Sequence, residues 1–427
     1  MEVHESKLTN SQIKMIKKEL HMVIPSEYGK PQAYNIYSYS YGVYTLPLHW
    51  ANSTFGIKPS EMTPLQISVG RFLPTLRPWQ SECLEICKKE FEKDFGGGVV
   101  NASTGSGKSI YTMALVAESS LKTLIVVHTT ELLQQWKKNI SKCLPDVKIG
   151  IIQGKIFDVT DKDVVIGMLQ TISMKENIDS RLFKQFGLTV YDEVQFLGAE
   201  IFSKTLLKTR SKYTFGLSAT VTRKDGMEIV FKHHIGPILY SNISNNKKQS
   251  SIIKPVFYNN PDFKQRVMYN DKPNLPLMIN DMVSDKNRNK LIIDELRLLD
   301  QKRNVLVLSD RVDHLKYLQS CIGDEQSGLF IGGMKENEKE ISKGKRILFA
   351  TYQIASVGFD LPTLNTLLFA TPRSSVTQAI GRIYRKHHEI LPLIVDIVDS
   401  YGLFSYQYKK RKKIYDAEIQ GEVSQQV

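Results

Sequence analysis

Two consecutive series of short apolar runs, each run followed by a helical pattern, constrain this chain more than any other feature of its sequence. The first series reads GGGVVNA, KTLIVVH, KIGIIQG, DVVIGM, LTVYDEV and YTFGLSA, between Leu76 and about Ser241. The second reads NVLVLSD, SGLFIGG, RILFATY, TLLFAT and PLIVDIV. A strand apolar on both faces must be covered on both, and parallel neighbours need a crossover helix between them. The alternation therefore predicts parallel α/β sheets, and its repetition predicts two such domains in tandem. The polar stretch SNISNNKKQSS, Ser241 to Ser251, reads as the boundary.

Ahead of both series lies a region of different character. A polar helical start from Ser11 to His21 precedes a Tyr-rich stretch, YNIYSYSYGVYTLPLHW, with strand-like alternation. It is expected to form a small accessory domain. Its tyrosines, Tyr34 to Tyr44, either cover a small sheet or stack on bases. The expected organisation is an accessory domain over 1–70, a first α/β domain over 71–250, and a second over 251–427 with a basic tail. That tail, Lys409 to Lys413, is either a solvated helix face or a phosphate contact.

Composition narrows the class. With 427 residues, 41% of them hydrophobic, the chain can build two or three ordinary cores. Lys and Arg outnumber Asp and Glu by 57 to 44, a formal charge of +13, which favours a polyanionic partner without proving one. Cys83, Cys87, Cys143 and Cys321 are too scattered for a disulfide framework and suit a reducing compartment. Cys83 and Cys87 are spaced to hold a metal on a helix, but no second pair accompanies them, so they read as buried core residues. The start, MEVHESKLTN, has no signal-peptide pattern, and no run is apolar enough to span a bilayer. The expectation is a soluble protein inside the cell, in the cytoplasm or with nucleic acid, and not at a membrane.

The chemistry concentrates at strand ends. After the first strand comes Ala102-Ser103-Thr104-Gly105-Ser106-Gly107-Lys108-Ser109, a phosphate loop with Ala at the first Gly position. Glycines there let backbone N–H groups close on a β-phosphate at a helix N-terminus, Lys108 neutralises phosphate charge, and Ser109 ligates Mg²⁺. A later strand ends in Asp192-Glu193-Val194-Gln195, where Asp192 can hold the metal shell and Glu193 can polarise the attacking water. In Leu76-Arg77-Pro78-Trp79-Gln80 a Gln just before a helix can read both edges of adenine, and no guanine-reading Asn-Lys-x-Asp motif occurs. Gly216-Leu217-Ser218-Ala219-Thr220 places two hydroxyls at another strand end. In Gln378-Ala379-Ile380-Gly381-Arg382-Ile383-Tyr384-Arg385 two arginines three apart fall on one helix face, able to stabilise γ-phosphate charge or to make surface ion pairs.

Taken in order, RPWQ, ASTGSGKS, VVHTTELLQQW, DEVQ, SAT, ATYQIASVGFDLP and QAIGRIYR resemble the motif set of superfamily 2 helicases, over roughly residues 70 to 405. GLSATVTRKDG, VLVLSDRVDHL and PLIVDIVDS are similar to the XPB-like branch, which includes branch-migration helicases of phages and helicases of large DNA viruses. The resemblance implies two RecA-like domains clamping ATP and a motor that moves 3′-to-5′ on single-stranded, forked or branched DNA. It assigns Arg77 and Gln80 to the nucleotide, Thr104 to Ser109 to phosphates and Mg²⁺, Asp192 to the metal and Glu193 to the water. Arg382 and Arg385 become arginine fingers beside Gln378, and Gly358 and Asp360 lie in the nucleotide-linked segment. Thr129, Thr130, Thr171, Arg311 and Thr351 fall where the family touches the sugar-phosphate backbone. Gln195, Ser218 and Thr220 would couple hydrolysis to movement.

Two departures stand out. Gln195 occupies a position that is His in many relatives, which bears on coupling. Arg223-Lys224-Asp225 stands where XPB proteins carry Arg-Glu-Asp, which leaves unwinding and translocation both open. A P-loop phosphotransferase or GTPase would leave the second α/β series unexplained. A binding module with a relic ATP site conflicts with the intact Lys108, Asp192, Glu193 and arginine pair. RNA remains an alternative track, since backbone contacts do not declare the sugar.

Overall fold

The computed structural model describes residues 1–24, 32–57, 64–103, 105–175, 178, 181–221, 226–242, 251–269, 273–356, 361–374, 376–384 and 386–420. The chain divides into two compact units, Met1–Ser244 and Asn245–Val427.

The first unit opens with β1 (Glu2–His4), α1 (Asn10–Glu19), β2 (His21–Ile24), β3 (Gln32–Asn35), β4 (Ser38–Ser40), β5 (Val43–Thr45) and α2 (Leu48–Phe55). Helix α1 starts where Thr9 and Gln12 satisfy each other's backbone N–H groups, at 3.2 and 2.8 Å, a reciprocal cap. The Tyr-rich stretch is not one continuous strand. It breaks into short antiparallel pieces, β1-β5-β4 and β2-β3, and Leu48 to Trp50 begins α2 rather than extending a strand. Alternation then separates the tyrosines. Tyr34 and Tyr44 are buried, with Tyr34 Oη donating to the Gly198 carbonyl at 2.6 Å, while Tyr41 is fully exposed. Met22, Tyr34, Tyr44 and Trp50 belong to one apolar cluster with Val194, Leu197 and Phe231, so this segment packs on the α/β part of its unit.

That part comprises α3 (Pro78–Phe91), β6 (Gly96–Ala102), α4 (Lys108–Ser119), β7 (Thr123–Val127), α5 (Thr130–Cys143), β8 (Ile149–Gln153), β9 (Ile156–Asp158), β10 (Val164–Met168) and α6 (Leu169–Met174). It continues through α7 (Arg181–Lys184), β11 (Leu188–Asp192), α8 (Glu200–Lys208), β12 (Tyr213–Ser218), α9 (Glu228–Ile235) and β13 (Ile238–Asn242). The sheet order is β13-β6-β12-β11-β7-β10-β8-β9, parallel except for the β8–β9 hairpin. Every residue of β6 is buried, and its Gly run is a packing requirement: a Cβ on Gly97 would lie 1.9 Å from the Thr214 carbonyl oxygen of β12. Because the strands run parallel, the loops after β6, β7, β8, β10, β11 and β12 all emerge at one carboxyl edge, where ligand sites of such sheets form.

The second unit contains β14 (Ile252–Tyr258), α10 (Leu275–Val283), α11 (Lys286–Leu298), β15 (Val305–Ser309), α12 (Val312–Ile322), β16 (Ser327–Phe330) and α13 (Glu336–Lys343). It ends with β17 (Ile347–Thr351), α14 (Tyr352–Ser356), β18 (Thr366–Phe369), α15 (Thr377–Ile380), β19 (Leu393–Asp399) and α16 (Gly402–Gln420). Its six strands pair in the order β14-β19-β18-β15-β17-β16, all parallel. The expected α/β class with two parallel sheets is present.

Two buried ion pairs tie helices to β19. Arg288 meets Asp399 at 2.7 and 2.9 Å, and Arg411 meets Asp396 at 2.8 and 3.0 Å. The second corrects the reading of the basic tail. Arg411 is an interior anchor, because Asp396, itself buried, needs a planar cation and takes a further hydrogen bond from Tyr415 Oη at 2.8 Å. Lys409, Lys412 and Lys413 do face solvent. Cys83 and Cys87 are buried on α3, as expected, with Tyr111 Oη donating to Cys87 Sγ at 3.0 Å. Among the described residues no helix is long and apolar enough to cross a membrane.

Candidate active site

The phosphate loop is shaped by its neighbours on α3. Gly105 and Gly107 adopt φ of +77° and +97°, which only glycine enters readily. Arg77 Nη1 donates to the Ser106 carbonyl at 2.9 Å, Trp79 Nε1 to the same oxygen at 3.3 Å, and Gln80 Nε2 to the Gly107 carbonyl at 2.8 Å. Gln80 Oε1 accepts from Arg77 N at 2.7 Å, so both ends of its amide are engaged. Gln80 lies within the first turn of α3, not ahead of the helix, and in this conformation it clamps the loop. A Cβ on Gly107 would approach its Nε2 to 2.7 Å.

The charged groups converge behind the loop. Lys108 Nζ donates to the Ala102 carbonyl at 3.0 Å and lies 3.9 Å from Glu193 Oε1. Asp192, the last residue of β11, accepts from Trp136 Nε1 at 2.8 Å. Burial, then the Glu193 charge, pushes its carboxyl up to about 6 against the pull of Lys108. Although the residue as a whole is only partly buried, its carboxylate is poorly solvated and stands beside a second negative charge, which suits a site built to receive a cation. Ser106 Oγ is buried without a partner, a hydroxyl left for a ligand, and Ser109 sits in the first turn of α4. The donor set therefore fits triphosphate oxygens and a divalent ion.

Glu193 is held in an uncommon backbone state, φ +58°, as the chain turns from β11 into a 3₁₀ segment, Val194–Gly198. A non-glycine residue there is strained by about 1 kcal/mol, a feature that gathers at functional positions. Gln195 Nε2 donates to Glu193 Oε2 at 2.6 Å, Ser218 Oγ lies 2.7 Å from Gln195 Oε1, and Thr220 N donates to Ser218 Oγ at 2.9 Å. Three residues expected to couple hydrolysis to movement thus form one chain ending on the expected base.

Three of the hydroxyls expected at nucleic acid line the same edge. Thr129 caps α5 through Leu132 N at 3.2 Å, Gln153 Nε2 donates to Thr130 Oγ1 at 3.2 Å, and Gly154 N donates to Thr171 Oγ1 at 2.9 Å. Gln153 and Gly154, in the β8–β9 turn, were not singled out from the sequence, where they look like an ordinary strand end. Trp136 was missed too: with Leu132, Leu133 and Ile140 it reads as one apolar helix stripe, and only its indole N–H on Asp192 gives it a second role.

The second unit treats its expected residues differently. Helix α15 stops at Ile380, capped by Gly381, so Arg382 lies in the following turn rather than on the helix. Arg382 is buried within its unit, with Nε donating to the Ala355 carbonyl at 2.6 Å, and Gln378 is half-buried on α15. Arg311 is anchored on α10, donating to Asn280 Oδ1 at 2.6 Å and the Pro276 carbonyl at 3.0 Å. Thr351 ends β17, where it pairs in register with Ser309 of β15. Thr104, Gly358, Asp360, Arg385 and the Arg223-Lys224-Asp225 triplet lie outside the described residues.

A glycine phosphate loop between β6 and α4, facing a carboxylate pair at the end of β11, defines a P-loop nucleotide hydrolase. Residues 73–223 match the family described as Type III restriction enzyme, res subunit. A protein of Acanthamoeba polyphaga mimivirus named as an ATP-dependent RNA helicase, L396, is 35% identical over 355 residues, spanning 80% of this chain and 67% of that protein. The helicase D10 of Escherichia phage T5 is 26% identical over 355 residues, 79% of this chain and 73% of that one. The crystal structure of T4 UvsW aligns over 96% of this chain and 94% of that chain at 21% identity and a TM-score of 0.38. The chain belongs to the superfamily 2 helicases, related to those of large DNA viruses and phages. It is an enzyme that couples ATP to work on nucleic acid.

Proposed function

We propose that this chain is a DNA helicase or translocase of the XPB-like branch that moves 3′-to-5′ and remodels branched DNA in replication, recombination or repair. The observation that carries the proposal is the single carboxyl edge on which Lys108, Glu193, Gln195 and Ser218 neighbour Thr129, Thr130 and Thr171. Hydrolysis and backbone contact then share one rigid sheet, with strands β7 and β11 directly paired between them.

In this reading Lys108 neutralises charge on the phosphates and Glu193 takes the proton of the attacking water. Ser109 and Asp192 would hold Mg²⁺, which would supply neutralisation of phosphate charge. The loop N–H groups from Thr104 to Gly107 orient the phosphates, and Arg77 with Gln80 borders the base. Gln80 reads adenine by exchanging one of its two present hydrogen bonds. Arg382 and Arg385, beside Gln378, stabilise charge on the γ-phosphate during turnover. The Arg382 bond to Ala355 ties that role to the segment carrying Gly358 and Asp360. Thr351 and Arg311 add backbone contacts from the second unit. Such contacts position the strand without reading bases, so binding is largely sequence-independent and weakens with salt.

RNA is the competing track, favoured by the name of the mimivirus relative. ATP hydrolysis measured with single-stranded, duplex, forked and four-way DNA, and with RNA of the same sequence, decides between them. The proposal expects forked or four-way DNA to stimulate hydrolysis about tenfold or more and RNA to stimulate it weakly. Stimulation by RNA alone would overturn it.

A further inference from the structure

His128 joins the two halves of the edge and has no assigned part in either. It follows the last residue of β7 and precedes Thr129, and its carbonyl accepts from Gln170 Nε2 at 2.6 Å. Its ring lies against Phe196, centroids 4.1 Å apart at 33°, and Phe196 belongs to the 3₁₀ turn that begins at Glu193. The residue is 8% exposed, and neither Nδ1 nor Nε2 has a hydrogen-bond partner. Burial pushes the ring down to about 4, with the Glu193 charge opposing, so at neutral pH it is an uncharged imidazole with one N–H donor and one acceptor.

Stacking alone does not account for a histidine here. A phenylalanine would fill the same space against Phe196 without burying two unsatisfied nitrogens. An unused donor in an otherwise closed site marks a bond made in another state of the molecule. The charge that acts on the ring is that of Glu193, and the backbone that carries the ring continues directly into the nucleic-acid threonines.

We propose that His128 is a positioning residue: when nucleic acid engages Thr129 and Thr130, a ring N–H is donated to the Glu193 carboxylate and orients it for hydrolysis. This rests on the reading of Glu193 as the base and of the threonines as backbone contacts. The link makes stimulation by nucleic acid a property of one side chain that touches neither ATP nor the strand.

The test is His128→Phe in the full chain, with His128→Gln, which restores an N–H donor, in parallel. ATP hydrolysis is measured with and without the most stimulating nucleic acid. His128→Phe is expected to keep the unstimulated rate within about twofold and the half-stimulating nucleic-acid concentration within about threefold, while stimulated kcat falls about tenfold; His128→Gln recovers part of the loss. A His128→Phe enzyme stimulated like the parent overturns the proposal, as does an equal fall in stimulated and unstimulated rates. Should His128→Phe fail to fold, His128→Gln carries the test: stimulation near the parent's supports the donor role, and stimulation lost with binding intact overturns it. A parent that neither DNA nor RNA stimulates overturns the functional reading as well.

Discussion

Gln195 bridges two strand ends: its amide donates to Glu193 Oε2 at 2.6 Å after β11, and its oxygen lies 2.7 Å from Ser218 Oγ at the end of β12. A histidine would meet the same two neighbours with one donor and one acceptor, so glutamine preserves the connection. Removing the side chain leaves Glu193 and Lys108 in place but cuts the path to Ser218. Gln195→Ala is expected to keep ATP hydrolysis within a few-fold while strand movement per ATP falls about tenfold. Measuring both rates on one labelled substrate checks this. Ser218→Ala should act in the same direction, and the double variant should be clearly non-additive, because both disrupt one chain.

Asp192 illustrates a site residue held at the expense of stability. Its folded pKa is raised, so the folded state favours the protonated form. The group therefore contributes most below its unfolded pKa near 3.8, and that contribution is lost as pH rises through about 6. Asp192→Asn removes the penalty at neutral pH while its side-chain oxygen still accepts from Trp136. The variant should gain about 1–2 kcal/mol at pH 7.5, shrinking towards nothing at pH 4, and should lose ATP turnover. Thermal unfolding of both proteins across that range is the check.

Gly107 admits no side chain for two independent reasons, its φ of +97° and the 2.7 Å approach to Gln80 Nε2. Gly107→Ala should leave the overall fold intact and weaken ATP binding tenfold or more, on the order of 1.5 kcal/mol. Titration with a fluorescent ATP analogue measures it.

Arg411 predicts a stability effect far from any chemistry. Arg411→Met strands the buried carboxylate of Asp396, which should cost about 3–5 kcal/mol in the unfolding of the second unit by urea. Lys412→Ala, on the exposed side of the same helix, should fall within about 0.5 kcal/mol of the parent.

What the sequence declares and what it hides follow from how far apart the determinants lie. The phosphate loop is legible because a backbone that must wrap a phosphate needs glycines at fixed local spacing, and a strand and a helix flank them. Both parallel sheets are legible because a strand covered on two faces is apolar throughout. Arg411 is not, since its burial is set by Asp396 on another element. The Gln80 clamp on the loop depends on Gly107, 27 positions on, and a helix-start glutamine carries no mark of that. Arg382 looks helical by spacing, but Gly381 ends α15 before it is reached. The Tyr-rich stretch alternates like one strand, and only the breaks at Ile36-Tyr37, Tyr41-Gly42 and Pro47 cut it into shorter elements.

The most direct test is ATP hydrolysis by Lys108→Ala, measured beside nucleic-acid binding by the same preparation. Lys108 is the cation at the centre of the loop, the Ala102 carbonyl and Glu193. The account predicts turnover reduced at least about a thousandfold with nucleic-acid affinity within about threefold of the parent. Turnover retained at the parent's rate would contradict it.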